Sequence, residues 1–231
     1  MTATELRESF ESAGISKSWL MTVDGLIENP ECNNDVLAEF VKNDLDFFVP
    51  FCTVDPNRKK VDENISELER AKYELGMKGL KLHPWLQSFS ITSAGLKPVL
   101  EKAGELDMPV LFHDGTPPYS TPLQIADIAE KTPKTKIILG HAGLDDLVED
   151  AVLACLRHDN IYLCLCSGSV RSISYVINKC PPEKLLFGSD SGFGKGITEF
   201  SIEKIKAACS DEKNLKMIFN TNSEVLIKNK D

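Results

Sequence analysis

The chain has 231 residues, of which 42% are hydrophobic, and its 26 Lys and Arg against 35 Asp and Glu give a net charge of −9. An acidic chain without a basic stripe is not expected to bind nucleic acid or an anionic membrane, and no apolar run approaches the length of a membrane span. The polar N-terminus has no signal-peptide core, and the seven scattered cysteines form no C-x-x-C motif, which favours reduced thiols in the cytoplasm. We therefore expect one soluble domain over residues 1–231, within the size range of an α/β barrel.

Short apolar runs alternate with amphipathic segments along the chain. The predicted strands span residues 18–23, 47–54, 79–83, 110–113, 137–141, 161–166 and 185–190. The predicted helices span residues 4–13, 34–43 (capped by Asn33 or Asn34), 61–75, 93–106, 122–131, 144–158, 170–178 and 199–208, with a last helix within 212–227. One strand followed by one helix, repeated, predicts parallel strands joined by right-handed crossovers.

The alternation favours a TIM-type (β/α)8 barrel over an open doubly wound sheet. No Gly-rich phosphate fingerprint follows any predicted strand, which disfavours the open sheet. A barrel also gathers the carboxyl ends of its strands into one ring, where barrel enzymes keep their chemistry. The chain starts on a helix and has seven predicted strands, so we expect a barrel that lacks its first strand.

Polar residues close four of the apolar runs. Three of the chain's four histidines, His83, His113 and His141, stand at such ends, and Asp190 closes the last run. Imidazole and carboxylate are the usual nitrogen and oxygen ligands of Zn²⁺ or Mn²⁺. We predict that His113, His141 and Asp190 hold one ion per chain and leave a position for water, whose proton Asp190 then takes and passes to the leaving group.

The neighbouring residues have competing interpretations. A single histidine of this kind is more often a hydrogen-bonded core residue, but three with a strand-end Asp favour an active site. His83 is either part of that site or a turn residue before a proline. Lys81 is interpreted as an anchor for a substrate carboxylate, with a carbamylated bridging ligand and a lysine reaching to solvent as alternatives. Trp85 lines the substrate or packs its loop, and Arg171 meets an anionic substrate or solvent.

Side-chain alternation along a strand adds two expectations. Leu139 and His141 are predicted to share one face of their strand. Cys164 and Cys166, which alternate with leucines, are interpreted as inert core residues.

Four segments resemble the amidohydrolase superfamily, in its amidohydrolase-2 branch of metal-dependent hydrolases and decarboxylases. They are GMKGLKLHP (76–84), PVLFHDGTPPYSTP (109–122), KIILGHAG (136–143) and LLFGSD (185–190), and the similarity runs from about residue 47 to the C-terminus. The resemblance implies a (β/α)8 barrel in which His113 is the metal ligand of strand five and His141 the strand-six histidine, a ligand or a catalytic residue. It also implies that Asp190 is the strand-eight ligand and base, and that His83 lies near the substrate.

The sequence departs from that family at its first strand. Family members carry a His-x-His pair there that completes the metal site, and no H-x-H occurs in this sequence. Three explanations compete: the true start lies upstream of Met1, the chain binds metal weakly with three ligands, or the barrel no longer catalyses. We favour the first. For the 231-residue chain we expect weak or absent metal binding and a gap in the ring of strands that a homodimer covers.

Three functions remain open from the sequence. The first is hydrolysis of a small carboxylated or cyclic amide, ester or lactone by a metal-activated water, with Asp190 and His141 catalytic. The second is metal-dependent decarboxylation of an aromatic or unsaturated acid at the same site. The third is a barrel that binds without catalysing, which the missing strand supports.

Overall fold

The computed structural model of the chain describes residues 1–194 and 196–228. Lys195, within the Gly-rich loop that follows the last predicted strand, and residues 229–231, at the end of the predicted domain, lie outside the described residues. No helix in the described ranges is long and apolar enough to cross a membrane.

All seven predicted strands are present. They are β1 (Ser18–Leu20), β2 (Phe48–Cys52), β3 (Gly79–Leu82), β4 (Val110–Phe112), β5 (Ile137–Leu139), β6 (Ile161–Cys164) and β7 (Leu185–Leu186). The helices are α1 (Ala3–Ser12), α2 (Asp24–Ile27), α3 (Pro30–Val41), α4 (Val61–Tyr73), α5 (Leu96–Glu105), α6 (Pro122–Lys131), α7 (Val148–Arg157), α8 (Val170–Lys179), α9 (Ile197–Ala208), α10 (Glu212–Lys216) and α11 (Asn222–Ile227). Short 3₁₀ turns at Pro182–Lys184 and Ser191–Phe193 flank β7, and a π-helical turn at Met217–Thr221 joins α10 to α11.

The seven strands pair in parallel and in chain order, from β1 to β7. Each strand pairs only with its sequence neighbours, as in a barrel in which every crossover helix returns the chain to the next position. Within residues 1–194 and 196–228 no strand joins β7 to β1, so both remain edges. The structure therefore confirms a (β/α)8-type barrel with seven strands.

Each of the strands that carry the histidines ends before the polar residue that closed the predicted run. The register stops at Leu82 opposite Phe112 and at Phe112 opposite Leu139. The amide of His113 still donates to Leu82 O at 2.9 Å, which is the last bond of that ladder. His83, His113 and His141 consequently lie on the turns after the strands, where their side chains are not held in the pleat, whereas Lys81 lies within β3.

The core has an outer and an inner part. The outer part packs the helices against one face of the strands and includes Val110, Phe112 and Leu139. The inner part is smaller and contains Ile138, Cys164, Cys166, Leu186 and Leu226. Close approach inside the barrel requires glycine at Gly188, where an added Cβ would lie 2.4 Å from Cys164 Sγ. The inner face is therefore tightly packed next to the mouth, with two sulfur-bearing side chains among its members.

The N-terminal part differs from the prediction in two places. The short helix α2 was not predicted, and α3 begins at Pro30 with Asn29 at its N-cap rather than at Asn33 or Asn34. Proline suits the first helical turn because its missing N–H has no partner there. Asn34 instead lies within α3 and is fully buried.

Candidate active site at the carboxyl ends of the strands

Three imidazole rings contact one another in sequence at the mouth of the barrel. His83, directly after β3, stacks on His113, directly after β4, with ring centroids 3.8 Å apart and planes 11° apart. His113 meets the ring of His141 edge-on at 4.4 Å, and His113 Nδ1 lies 2.9 Å from His141 Nε2. The structure thus brings together the three histidines that the sequence placed at strand ends.

Asp114 holds the His141 turn in place. Its carboxylate accepts hydrogen bonds from the backbone amides of His141 and Gly143, both at 2.6 Å. Ala142, Gly143 and Leu144 all have left-handed φ, which turns the chain sharply after β5. Strict alternation predicted that His141 would share a face with Leu139. That prediction is wrong, because the turn redirects His141 toward His113 while Leu139 packs in the outer core.

A backbone hydrogen bond and a side-chain contact fix His83. Its amide donates to Gln87 Oε1 at 2.8 Å, and Gln87 Nε2 donates to Val54 O at 2.6 Å. The amide of Leu86 approaches His83 Nδ1 at 3.4 Å. The turn role and the site role of His83 are therefore compatible, since its backbone shapes the loop while its ring covers His113.

Ligand-type atoms of His141, Cys166 and Asp190 lie within 4.8 Å of one another, the group among the described residues that suits a metal ion. Cys166 comes after β6 and Asp190 after β7, so these three residues close three consecutive strands. His113 contacts His141 but does not belong to this group. Of the predicted set, His141 therefore lies near both His113 and Asp190, and the group with ligand spacing contains Cys166 in place of His113.

The donor set suits a divalent ion. His141 is 6% exposed, and its Nδ1 is buried with no hydrogen-bond partner among the described residues. Burial is the main cause that lowers the pKa of His83 and of His141 to about 3 and that of His113 to about 4. The charge of Lys81 contributes to all three of these pKa values, and neighbouring imidazoles contribute to those of His83 and His141. All three rings are therefore neutral at pH 7, which is the form that ligates metal.

Charged groups surround the rings. Burial lowers the pKa of Lys81, against the opposing attraction of Asp190 and Asp114. Partial burial raises the pKa of Asp190, and Lys81 opposes that rise. Burial also raises the pKa of Asp114 to about 6 against its two amide donors. Lys81 is 8% exposed, and no hydrogen bond or ion pair joins its ammonium to a described residue.

Two predicted substrate residues lie farther out. Trp85 is 55% exposed, with its ring 6.2 Å from that of His83. Arg171 is exposed on the first turn of α8 and makes no hydrogen bond or ion pair with a residue that the structure describes. The structure leaves both at the rim.

Sequence reasoning missed Asp114 and Cys166 as site residues. Asp114 directly follows a strand-end histidine, and a carboxylate at that position was a usable signal. Cys166 ends an apolar run as the histidines do, but a cysteine in such a run resembles a core residue. Its thiol is indeed buried, and burial raises its pKa to about 11.

Comparison with known proteins finds one matching family model and several solved structures with a similar fold. The family model described as Amidohydrolase matches residues 3–227, and a search of curated proteins finds no match. A 5-carboxyvanillate decarboxylase from Sphingomonas paucimobilis has 17% identity and a TM-score of 0.77, covering 96% of this chain and 82% of that one. One from Novosphingobium aromaticivorans, solved with bound manganese, has 18% identity and a TM-score of 0.73, covering 96% and 80%. A probable 2-pyrone-4,6-dicarboxylic acid hydrolase from Acinetobacter baumannii has 14% identity and a TM-score of 0.72, covering 98% and 88%.

Proposed function

The chain belongs to the amidohydrolase family, and from that premise we propose that it is a metal-dependent hydrolase of a small carboxylated substrate, cleaving an amide, ester or lactone. One observation supports this most. His141 and Asp190 lie among atoms spaced for an ion, His141 contacts the neutral ring of His113, and Asp190 lies near the buried ammonium of Lys81. Ligands, an acid–base group and an anion anchor are the parts that such hydrolysis requires.

His141 and Asp190 would hold the ion, with His113 as a third candidate ligand. A divalent ion such as Zn²⁺ or Mn²⁺ supplies Lewis acidity, which polarises a carbonyl and acidifies water. The bound manganese of the Novosphingobium enzyme supports a divalent ion here. Asp190 faces solvent on one side and is raised in pKa by partial burial. It is therefore suited to accept a proton from the attacking water and to return it to the leaving group.

Lys81 would bind the substrate's carboxylate. A buried ammonium without a hydrogen-bond partner carries a desolvation cost that an incoming anion offsets. His83 and Trp85 would then contact the body of the substrate, and Arg171 would attract its charge at the rim. Trp85 suits this role because an exposed indole offers apolar area and one donor.

Decarboxylation is the second candidate. Two of the similar structures are 5-carboxyvanillate decarboxylases, and the third is a probable hydrolase of a dicarboxylic acid. Both reactions would start from an acid bound at a divalent ion. They differ in the step after binding, because decarboxylation needs a proton delivered to carbon and no water as nucleophile.

The two reactions separate in one assay. The full chain, loaded with Zn²⁺ or with Mn²⁺, is incubated with a panel of carboxylated lactones, esters, amides and aromatic acids, and acid release and carbon dioxide release are followed in parallel. We expect acid release that a chelator abolishes. Carbon dioxide release alone would assign the decarboxylase, and a metal-loaded chain that turns over nothing would assign a barrel that binds without catalysing.

We also propose a cellular compartment and an oligomeric state for the chain. Seven cysteines in the sequence suit a reducing cytoplasm. The edges at β1 and β7 suit a homodimer that covers them, which sedimentation of the purified chain measures.

A further inference from the structure

Cys166 stands in the mouth of the barrel as a strand-end group of its own. It is 4% exposed, and its sulfur belongs to the group of atoms from His141, Cys166 and Asp190 that lie within 4.8 Å of one another. Cys164, two residues earlier and also buried, faces Gly188 and is not in that group. Cys166 also borders Gly188, and its Sγ lies 3.3 Å from Ser167 Oγ. Both cysteines are therefore buried near the end of one strand, and they differ in that the sulfur of Cys166 lies among other ligand-type atoms of the described residues.

The unpartnered nitrogen of His141 is the second observation. Its Nε2 lies 2.9 Å from His113 Nδ1, so one of the two nitrogens donates to the other. When His141 Nε2 carries the proton and donates, Nδ1 keeps its lone pair. That buried atom has no hydrogen bond of good geometry to a described residue, although the backbone of Cys166 lies near the ring. An acceptor behind a ligating histidine commonly fixes its tautomer in this way. His113 then serves the site by holding the His141 tautomer.

The spacing suits an ion after a small closure. Tetrahedral bonds of about 2.0–2.3 Å separate ligand atoms by roughly 3.5 Å, and the cluster atoms lie within 4.8 Å of one another. Asp190 is exposed, and its carboxylate accepts no hydrogen bond from a described residue, so it is free to approach. The movement that brings the three ligand atoms to bonding distance is therefore expected from the side chain of Asp190.

We propose that the sulfur of Cys166 ligates the divalent ion together with His141 Nδ1 and the Asp190 carboxylate, which makes the centre a thiolate site that prefers Zn²⁺ to Mn²⁺. This inference rests on the proposed function for the location of the ion. On binding, the S–H bond breaks, its proton passes to solvent, and the sulfur electron pair forms the bond to the ion. Soft thiolate selects Zn²⁺, whereas Mn²⁺ prefers oxygen ligands.

Cobalt reports a sulfur ligand directly. The full chain is titrated with Co²⁺, and we expect a sulfur-to-cobalt charge-transfer band in the near ultraviolet together with visible ligand-field bands. The band disappears in Cys166→Ser and persists in Cys164→Ser, the matched control two residues earlier. Zn²⁺ dissociation constants rise roughly 10- to 100-fold in Cys166→Ser, whereas those for Mn²⁺ change only a few-fold.

The possible results separate the thiolate site from the proposed function. Ligand-field bands without the charge-transfer band in the parent chain would overturn the thiolate site and leave the proposed metal-dependent function standing. A parent chain that binds neither Co²⁺ nor Zn²⁺ would overturn both. A charge-transfer band that survives in Cys166→Ser would also overturn the assignment. X-ray absorption of the Zn²⁺-loaded parent needs no variant, and we expect one sulfur at about 2.3 Å; coordination by nitrogen and oxygen alone contradicts it.

Discussion

Two buried polar clusters in this barrel differ in how they satisfy their hydrogen bonds. Between α3, β2 and α4, Asn34 donates to Thr53 O and to Glu67 and accepts from the Thr53 amide, at 2.7 to 2.9 Å. Arg70 completes that cluster with two bonds to Glu67. At the mouth, by contrast, His141 Nδ1 and the Lys81 ammonium lack hydrogen-bond partners among the described residues.

The difference in hydrogen bonding indicates that one cluster stabilises the fold and that the other is suited to bind a ligand. A polar cluster whose members satisfy one another stabilises the fold, because removing one member leaves the others unpaired. A cluster that keeps atoms unpaired costs stability and retains them for a ligand. We therefore expect substitutions in the Asn34 cluster to change folding, and substitutions at the mouth to change binding or turnover.

The largest effect is expected at Asp190. Asp190→Asn should lower turnover of any panel substrate roughly 100- to 10,000-fold, since it removes the carboxylate that we propose as the general base. The free energy of unfolding of the metal-free chain should stay within about 0.5 kcal/mol. Steady-state kinetics and urea denaturation measure the two. Asp159→Asn, which changes an exposed Asp before β6, is the control. An equal loss of turnover in that variant would contradict a specific role of Asp190 at the mouth.

Asn34→Ala tests the satisfied cluster. We expect the free energy of unfolding to fall by about 3 kcal/mol, because Glu67 and the Thr53 backbone groups lose buried partners. Urea denaturation measures it, and Asn178→Ala, which loses only local bonds to Ser174 on an exposed helix surface, should change it by less than about 0.5 kcal/mol. Zn²⁺ affinity of the folded Asn34 variant should be unchanged; a tenfold loss would show that the clusters are coupled.

His113→Phe tests the link between the rings. Losing the acceptor for His141 Nε2 should weaken Zn²⁺ binding roughly 10- to 100-fold. His113→Gln, whose carbonyl can accept the same proton, should recover most of it. Calorimetric titration provides the constants, with His158→Phe as the control for loss of a histidine. Equal losses in the Phe and Gln variants would indicate that His113 ligates the ion itself.

Lys81→Met should have the smallest effect of these substitutions, and it should raise the free energy of unfolding where Asn34→Ala lowers it. Removing a buried ammonium that has no hydrogen-bond partner should raise the free energy of unfolding of the metal-free chain by about 1 kcal/mol at pH 7. Burial lowers the pKa of Lys81 below its ordinary value of 10.5, so the parent's penalty is full below the folded-state pKa and vanishes as the pH rises past 10.5. The gain should therefore shrink in alkaline urea titrations, and a gain that grows with pH would contradict the argument.

The fold was largely predictable and the site only partly so. Apolar runs identified all seven strands, because burial on both faces leaves a signal in the sequence. The ends of the strands were predicted less well, since the hydrogen-bonded ladder stops where neighbouring strands diverge. The direction of His141 was missed because three consecutive left-handed residues, Ala142, Gly143 and Leu144, override alternation. Asn34 looked like a cap because its type favours caps, and only the tertiary structure shows its partners on β2's end and α4.

The Asp114 carboxylate has a further consequence for movement at the mouth. By bonding to two amides of the turn after β5, it joins the His113 and His141 turns into one unit. Asp190, with left-handed φ and no hydrogen bond to its side chain from the described residues, has no such tie. The two sides of the mouth therefore differ in their anchoring: the turns after β4 and β5 are bonded to each other through Asp114, whereas no described residue holds the Asp190 side chain after β7.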